Sequence, residues 1–117
     1  MKLLRATLVA GALFLGGCSA GTPVNATAME SAFNENLPGS SIKGMCDPAY
    51  THWACFYEGV EADGSYLVVK LGVPGGMDED ALAQRAGKHW FNFIGKRYPD
   101  LSIIIVRING IDYNVYR

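Results

Sequence analysis

The chain has 117 residues and a formal net charge of −1, with 10 Lys and Arg against 11 Asp and Glu. Half of its residues are hydrophobic, which suits one domain that buries its own core. Because no basic run is present, the composition excludes the electrostatic footprint of a nucleic-acid-binding protein.

The first stretch of the chain has the organisation of an export signal. Lys2 and Arg5 form a short positive region, and residues 6–15 form an apolar run. This run is too short to span a bilayer as a helix, and two glycines follow it. The order is typical of a secretory signal peptide.

Leu15-Gly16-Gly17-Cys18 resembles the lipobox of bacterial lipoproteins. The resemblance, which covers residues 1–18 only, implies that the Cys18 sulfur carries a diacylglyceryl group and that the chain is cut just before it. It also implies acylation with fatty acids such as palmitate. The protein would then sit on the outer face of the plasma membrane, or on the outer membrane of a Gram-negative cell. An ordinary signal peptide followed by a chance cysteine is the alternative.

Cleavage at this point removes 17 of the 117 residues and leaves a mature chain of 100, with 8 Lys and Arg against 11 Asp and Glu. We therefore expect three parts: a signal peptide, a lipidated tether and a single α+β domain, at residues 1–17, 18–26 and 27–117. Two or more acyl chains hold a protein stably on a membrane. The short tether keeps the domain close to the bilayer.

Two cysteines remain for the domain, Cys46 and Cys55. An even pair in an exported domain predicts a disulfide. The alternative is a zinc site in which His52 joins the two cysteines and Asp47 or His89 completes the ligand set. The missing C-x-x-C spacing argues against the metal, and no cofactor is expected.

Local patterns predict one short helix and three strands in the first half of the domain. Thr27 and Glu30 fit a capping box for a helix at residues 28–36, which Pro38 and Gly39 would end. A weak strand at 42–46 and two clearer strands, separated by an Asp-Gly turn, should follow at 53–60 and 66–73.

The main helix is expected at residues 78–97, with Asp78 as its N-cap. Its apolar positions recur at spacing four: Leu82, Ala86, Trp90 and Ile94. The Tyr98-Pro99 step should stop it, because the residue before a proline disfavours the helical conformation.

Asn109-Gly110 predicts a two-residue hairpin between strands at 101–108 and 111–116. This turn sets the register, and the opposed charges of Arg107 and Asp112 agree with it. The fold class is therefore α+β, with a small antiparallel sheet of about five strands and the order α-β-β-β-α-β-β.

The residues indicate a protein that is not an enzyme. No nucleophile motif is present, and His52 and His89 have ordinary surface or boundary settings. We expect a membrane-anchored domain that binds a protein or envelope component, or associates with itself. In size and architecture it resembles small lipoproteins of phages, prophages and high-GC Gram-positive bacteria, some of which block superinfection. That role and an enzyme acting on an envelope polymer are the alternatives.

Two candidate binding regions follow from the predicted strands. The hairpin register places one set of apolar and aromatic residues on the sheet surface opposite the main core: Ile103, Ile105, Tyr116, Tyr66 and Val68. The short helix around Phe33 would cover this surface in an ordinary core. The second candidate is the loop between the cysteines, with Tyr50, His52 and Trp53.

Overall fold

The computed structural model describes residues 23–37 and 41–117. The predicted signal peptide, the lipobox with Cys18 and most of the predicted tether lie outside the described residues. The predicted helix stop at Pro38 and Gly39 lies outside them as well.

Within these described residues the chain forms two helices and four strands, with two short 3-10 helices before the first strand. Their bounds are α1 Ala26–Asn34, the 3-10 helices Ile42–Met45 and Trp53–Phe56, β1 Tyr57–Asp63, β2 Tyr66–Leu71, α2 Glu79–Ile94, β3 Ile103–Ile108 and β4 Ile111–Tyr116. The α+β class is confirmed, with one short and one long helix.

The weak strand expected at residues 42–46 is absent, so the prediction of about five strands is wrong. Ile42–Met45 forms a 3-10 helix, and Gly44 within it is a poor strand residue. Trp53–Phe56 is also 3-10, because the His52 side chain caps it by accepting a hydrogen bond from the Ala54 backbone N–H. The second predicted strand therefore begins only at Tyr57.

The strands lie in the order β1-β2-β3-β4. The outer pairs are antiparallel, but β2 and β3 are parallel. The expectation of a wholly antiparallel sheet is therefore wrong for the central pair. The cause is α2, which carries the chain from the end of β2 back to the start of β3, the crossover that parallel pairing requires.

The predicted β3–β4 register is confirmed at all six pairs, from Ile108 opposite Ile111 to Ile103 opposite Tyr116. Asn109 and Gly110 both have positive φ, 52° and 86°, as this turn requires. The Asn109 side chain also accepts from the Val73 N–H and donates to the Val73 carbonyl, at 3.0 and 2.8 Å. These bonds connect the turn to the segment that directly follows β2.

Helix α1 begins two residues before the predicted start. Its N-cap is Asn25, whose Oδ1 accepts from the Ala28 N–H at 3.0 Å, and Thr27 lies inside the helix. The predicted capping box does not form, because Glu30 instead accepts a hydrogen bond from the Tyr57 hydroxyl.

The folded domain includes the last part of the predicted tether. The Val24 N–H donates to the Gly64 carbonyl at 3.0 Å, and Ala26 is the first residue of α1. Gly64 lies in the turn between β1 and β2, so the chain enters the domain at that end of the sheet.

Helix α2 is N-capped by Asp78 as predicted, through a hydrogen bond from the Ala81 N–H to its carboxylate at 3.1 Å. The helix ends at Ile94, three residues before the predicted end, and Gly95 is its C-cap.

Both helices pack on the same face of the sheet and enclose the core there. The Phe33 ring of α1 lies 4.3 Å from the Trp90 ring of α2 and 4.7 Å from Phe93, measured between centroids. The strands contribute alternate buried residues to this core: Leu67, Val69, Leu71, Ile104, Val106, Ile108 and Val115. None of the helices in the described part of the chain is long and apolar enough to cross a bilayer.

Candidate binding face and histidine pocket

The sheet surface turned away from α1 and α2, called here the outer face, carries all five residues proposed for the first binding region. Ile103 is paired with Tyr116, and Val68 is paired with Ile105. Since Leu67 is paired with Ile104, Tyr66 lies beside Ile103. The alternation of the strands thus brings the five residues together on one surface.

The outer face exposes its aromatic residues. Tyr66 is 42% exposed and Tyr116 is 60% exposed, whereas Ile103 and Ile105 are half-buried. Val68 is fully buried, although it lies outside the core cluster. It lies between Glu61 of β1 and Ile105 of β3.

The short helix does not cover the outer face. Its buried residues are Met29, Ala32 and Phe33, and Phe33 contacts Trp90 on the opposite side of the sheet. Within residues 23–37 and 41–117, the outer face therefore has no helix over it.

One end of the outer face carries acidic and basic residues that form ion pairs with one another. Lys70 contacts Glu61 at 3.0 Å, and Arg107 contacts Asp112 at 2.7 Å and Glu61 at 3.2 Å. The hydrogen bond from Lys70 lowers the pKa of Glu61, and the bond from Arg107 lowers the pKa of Asp112. These groups are partly exposed, so the network contributes little to stability but keeps this end polar.

A groove of about 500 Å³ adjoins the other end of the outer face. It lies where the chain enters the domain, and its walls come from that entry, from the start of β2 and from the loop between α2 and β3. Its apolar lining includes Pro23, Val24, Tyr66, Tyr98, Leu101 and Ile103.

Arg117 forms hydrogen bonds that hold one wall of this groove in place, a role that was not predicted from the sequence. Its guanidinium donates to the carbonyls of Leu101 and Gly95, both at 2.7 Å, and of Tyr98 at 3.1 Å. It also lies 5.6 Å from the centre of the Phe91 ring. A basic residue directly after the last strand was the only local signal, and its carbonyl partners are 16 to 22 positions away in the chain.

The second candidate region, the loop between Cys46 and Cys55, is organised by Asp47. The two cysteine sulfurs are joined, at 2.06 Å. The Asp47 carboxylate accepts from the N–H groups of Thr51 and His52, at 2.7 and 3.1 Å, and from the Thr51 hydroxyl. The hydrogen bond from that hydroxyl is the main reason that the pKa of Asp47 falls to about 2.

The three residues proposed for this loop have different settings. Tyr50 is 66% exposed and has a positive φ of 55°. Trp53 is only 2% exposed and belongs to the core, so it offers almost no surface to a protein partner. His52 is half-buried and faces a pocket.

That pocket, of about 480 Å³, brings the two histidines together. Their ring centroids are 5.9 Å apart, and the pocket is completed by Asp47, Thr51, Trp53 and Arg85. His52 Nδ1 accepts from the Ala54 N–H at 3.0 Å, and His89 Nδ1 accepts from Trp53 Nε1 at 3.2 Å. Burial, and secondarily the charge of His52, lower the pKa of His89.

These bonds make the pocket a poor metal site. Since each Nδ1 accepts a hydrogen bond, the neutral ring carries its proton on Nε2, which leaves no nitrogen lone pair for a metal. Cys46 and Cys55 lie near Asp47 in a ligand-like cluster, but their sulfurs are bonded to each other and are not thiolates. The arrangement supports a structural role for the pair of histidines.

No protein-family model matches the chain, and comparisons with curated proteins and with solved structures likewise find no match.

Proposed function

We propose that this protein is a lipid-anchored, non-enzymatic binding domain of a bacterial cell envelope, and that its outer face binds a protein partner at the membrane surface. The observation that carries the proposal is the two-layer arrangement. Both helices lie on one side of the sheet, and the described chain leaves the other side open.

The composition of the outer face supports binding. Exposed tyrosines with neighbouring aliphatic residues are typical of protein interfaces, whose centres are depleted in unpaired charge. Here Tyr66, Ile103, Ile105 and Tyr116 form a continuous aromatic and aliphatic surface, and the charges beyond Ile105 pair with one another. Asp63, which is exposed beside Tyr66, is not part of that network, so the region that a partner can cover without burying an unpaired charge is centred on Ile105.

The anchor is the second half of the proposal, and it rests on the lipobox resemblance. An anchored domain and its partner meet in a thin layer at the membrane, so a modest interface gives high occupancy. This favours a binding role even for an interface of low affinity in free solution.

The test places a charge at the centre of the outer face. Ile105→Glu should keep the circular dichroism spectrum of the wild type and lose cross-linked adducts in intact cells. Ile111→Glu is the matched control, because Ile111 is 56% exposed on the neighbouring strand but alternates to the other side of the sheet.

Loss of adducts in Ile105→Glu alone supports the outer face as the interface. If both variants keep every adduct, the proposed interface is wrong, and the loop around Tyr50 becomes the remaining candidate. An adduct of twice the monomer mass identifies the partner as a second copy of the chain.

A further inference from the structure

The chain enters the domain beside the most aromatic part of the outer face. Val24 is hydrogen-bonded to Gly64 in the β1–β2 turn, two residues before Tyr66. Pro23 and Tyr66 line the same groove. The point at which the predicted tether joins the fold is therefore adjacent to the row formed by Tyr66, Ile103 and Tyr116, called here the aromatic row.

The distance from the predicted anchor is short. Cys18 precedes Pro23 by five residues, which span at most about 18 Å when fully extended. Lipid on Cys18 would thus hold the end of the domain with the aromatic row within reach of the headgroup layer. The opposite end of the sheet lies farther from the membrane.

The polarity of the outer face changes along the strands in the same direction. Lys70 and Arg107 follow Tyr66 and Ile103 by four residues each, a separation of about 13 Å. The aromatic row is thus at the end near the anchor, where the exposed carboxylate of Asp63 lies beside Tyr66, and the network of paired charges is at the far end. Tyrosine suits a membrane interface, because its ring is apolar and its hydroxyl remains hydrated.

We propose that the aromatic row sits in the headgroup region of the membrane that holds lipidated Cys18, so that the strands stand upright on the bilayer. This inference rests on the lipid anchor of the proposed function. Of the surface proposed above for the protein partner, this assigns Tyr66, Ile103 and Tyr116 to the lipid headgroups. The part around Ile105 then faces parallel to the membrane and remains for the protein partner. The anchor supplies a high effective concentration, so a weak contact between the aromatic row and the headgroups is enough to orient the domain.

The proposed contact of the aromatic row with the membrane depends on apolar surface and not on charge. The mature chain has 8 Lys and Arg against 11 Asp and Glu, so it gains nothing from the charge of anionic lipids. Contact of the aromatic row with the bilayer should therefore be insensitive to salt and to the anionic lipid fraction.

The experiment uses the lipidated protein in phosphatidylcholine vesicles whose acyl chains are brominated near the headgroup. Tyr66→Trp and Tyr116→Trp place a fluorescent reporter at each end of the aromatic row. Tyr50→Trp is the control, because Tyr50 is 66% exposed in the loop leading to the opposite end of β1. The native Trp53 and Trp90 are 2% and 0% exposed and supply a constant background.

After subtraction of this background, bromine should reduce the emission of both row reporters by about twofold or more and leave the Tyr50→Trp reporter unchanged. Suppose the protein floats with the vesicles, and either all three reporters are quenched equally or neither row reporter is quenched. The proposed membrane contact of the aromatic row is then wrong, whereas the lipid anchor is unaffected. If the protein stays in the aqueous fraction, both the anchor and the membrane contact are wrong. Quenching that requires anionic lipid also contradicts the proposed apolar contact.

Discussion

Gly87 of α2 lies directly against Val115 of β4. A Cβ at position 87 would be 2.5 Å from the Cβ of Val115 and 2.5 to 2.6 Å from its two methyl groups, closer than real contacts allow. Val115 is fully buried, so it has no room to move aside. The helix can approach the sheet this closely only because residue 87 has no side chain.

Gly87→Ala should therefore destabilise the domain, although alanine is the better helix former by about 1 kcal/mol. Overpacking a core costs about 1–3 kcal/mol, and contacts of 2.5 Å with a fully buried side chain place this substitution in the upper part of that range, at about 2–3 kcal/mol. After the gain in helix propensity, we expect a net loss of about 1–2 kcal/mol. Urea unfolding measures the change. Asn92→Ala at an exposed position of the same helix is the control and should stay within about 0.5 kcal/mol of the wild type. Equal stability of the two variants would contradict the close packing.

Arg117 should stabilise the groove wall through its planar guanidinium. Arg117→Ala removes the hydrogen bonds to Gly95, Tyr98 and Leu101, and we expect a loss of about 1–2 kcal/mol. Arg117→Lys should recover only part of it, since an ammonium group cannot reach all these carbonyls at once. The readout is the denaturant midpoint. Full recovery by lysine would show that charge, and not the forked geometry, is what matters.

The histidine pocket predicts a loss of stability in mild acid. The pKa of His89 is lowered, mainly by burial, so the unfolded chain binds the proton more readily than the folded chain. Stability should be constant above the unfolded pKa of about 6.5 and fall as the pH drops below it, because protonation of Nδ1 also breaks the bond from Trp53.

Thermal unfolding between pH 8 and pH 5 checks this prediction, in a range above the titration of the carboxylates whose pKa values are lowered, Glu35, Asp47, Glu61 and Asp112. In His89→Gln the decline should be smaller than in the wild type. An identical decline in both proteins would assign the proton to another group.

The disulfide closes a loop of ten residues, from Cys46 to Cys55, and should stabilise the fold by about 2.5–3 kcal/mol through the unfolded state. Intact mass before and after reduction and alkylation should reveal two protected thiols. Reduction should lower the denaturant midpoint. Two free thiols in protein from an oxidising compartment would rule out the bridge.

The sequence predicts those features of the fold that depend on near neighbours. The β3–β4 register follows from Asn109-Gly110, the strand alternation and the facing charges of Arg107 and Asp112, all within a few residues of the turn. The N-cap at Asp78 is equally local. The set of residues on the outer face could be predicted because alternation along a strand determines the side on which each residue lies.

Features that depend on distant contacts were not predicted. Whether α1 covers the outer face depends on the packing of Phe33 on Trp90, which no local pattern specifies. The bond between Trp53 and His89 joins residues 36 positions apart. The parallel pairing of β2 and β3 could have been predicted, although an antiparallel sheet was expected. The sequence indicates a helix between these two strands, and such a helix is the signal for a parallel crossover.

The central claim is that the domain acts while it is held on a membrane through Cys18. Metabolic labelling with a palmitate analogue, followed by membrane fractionation, tests it most directly. Wild type and the Cys46→Ser/Cys55→Ser variant should both carry label, while Cys18→Ala should carry none and should leave the membrane fraction. Equal labelling of Cys18→Ala and wild type, or unlabelled wild type outside the membrane fraction, would contradict the claim.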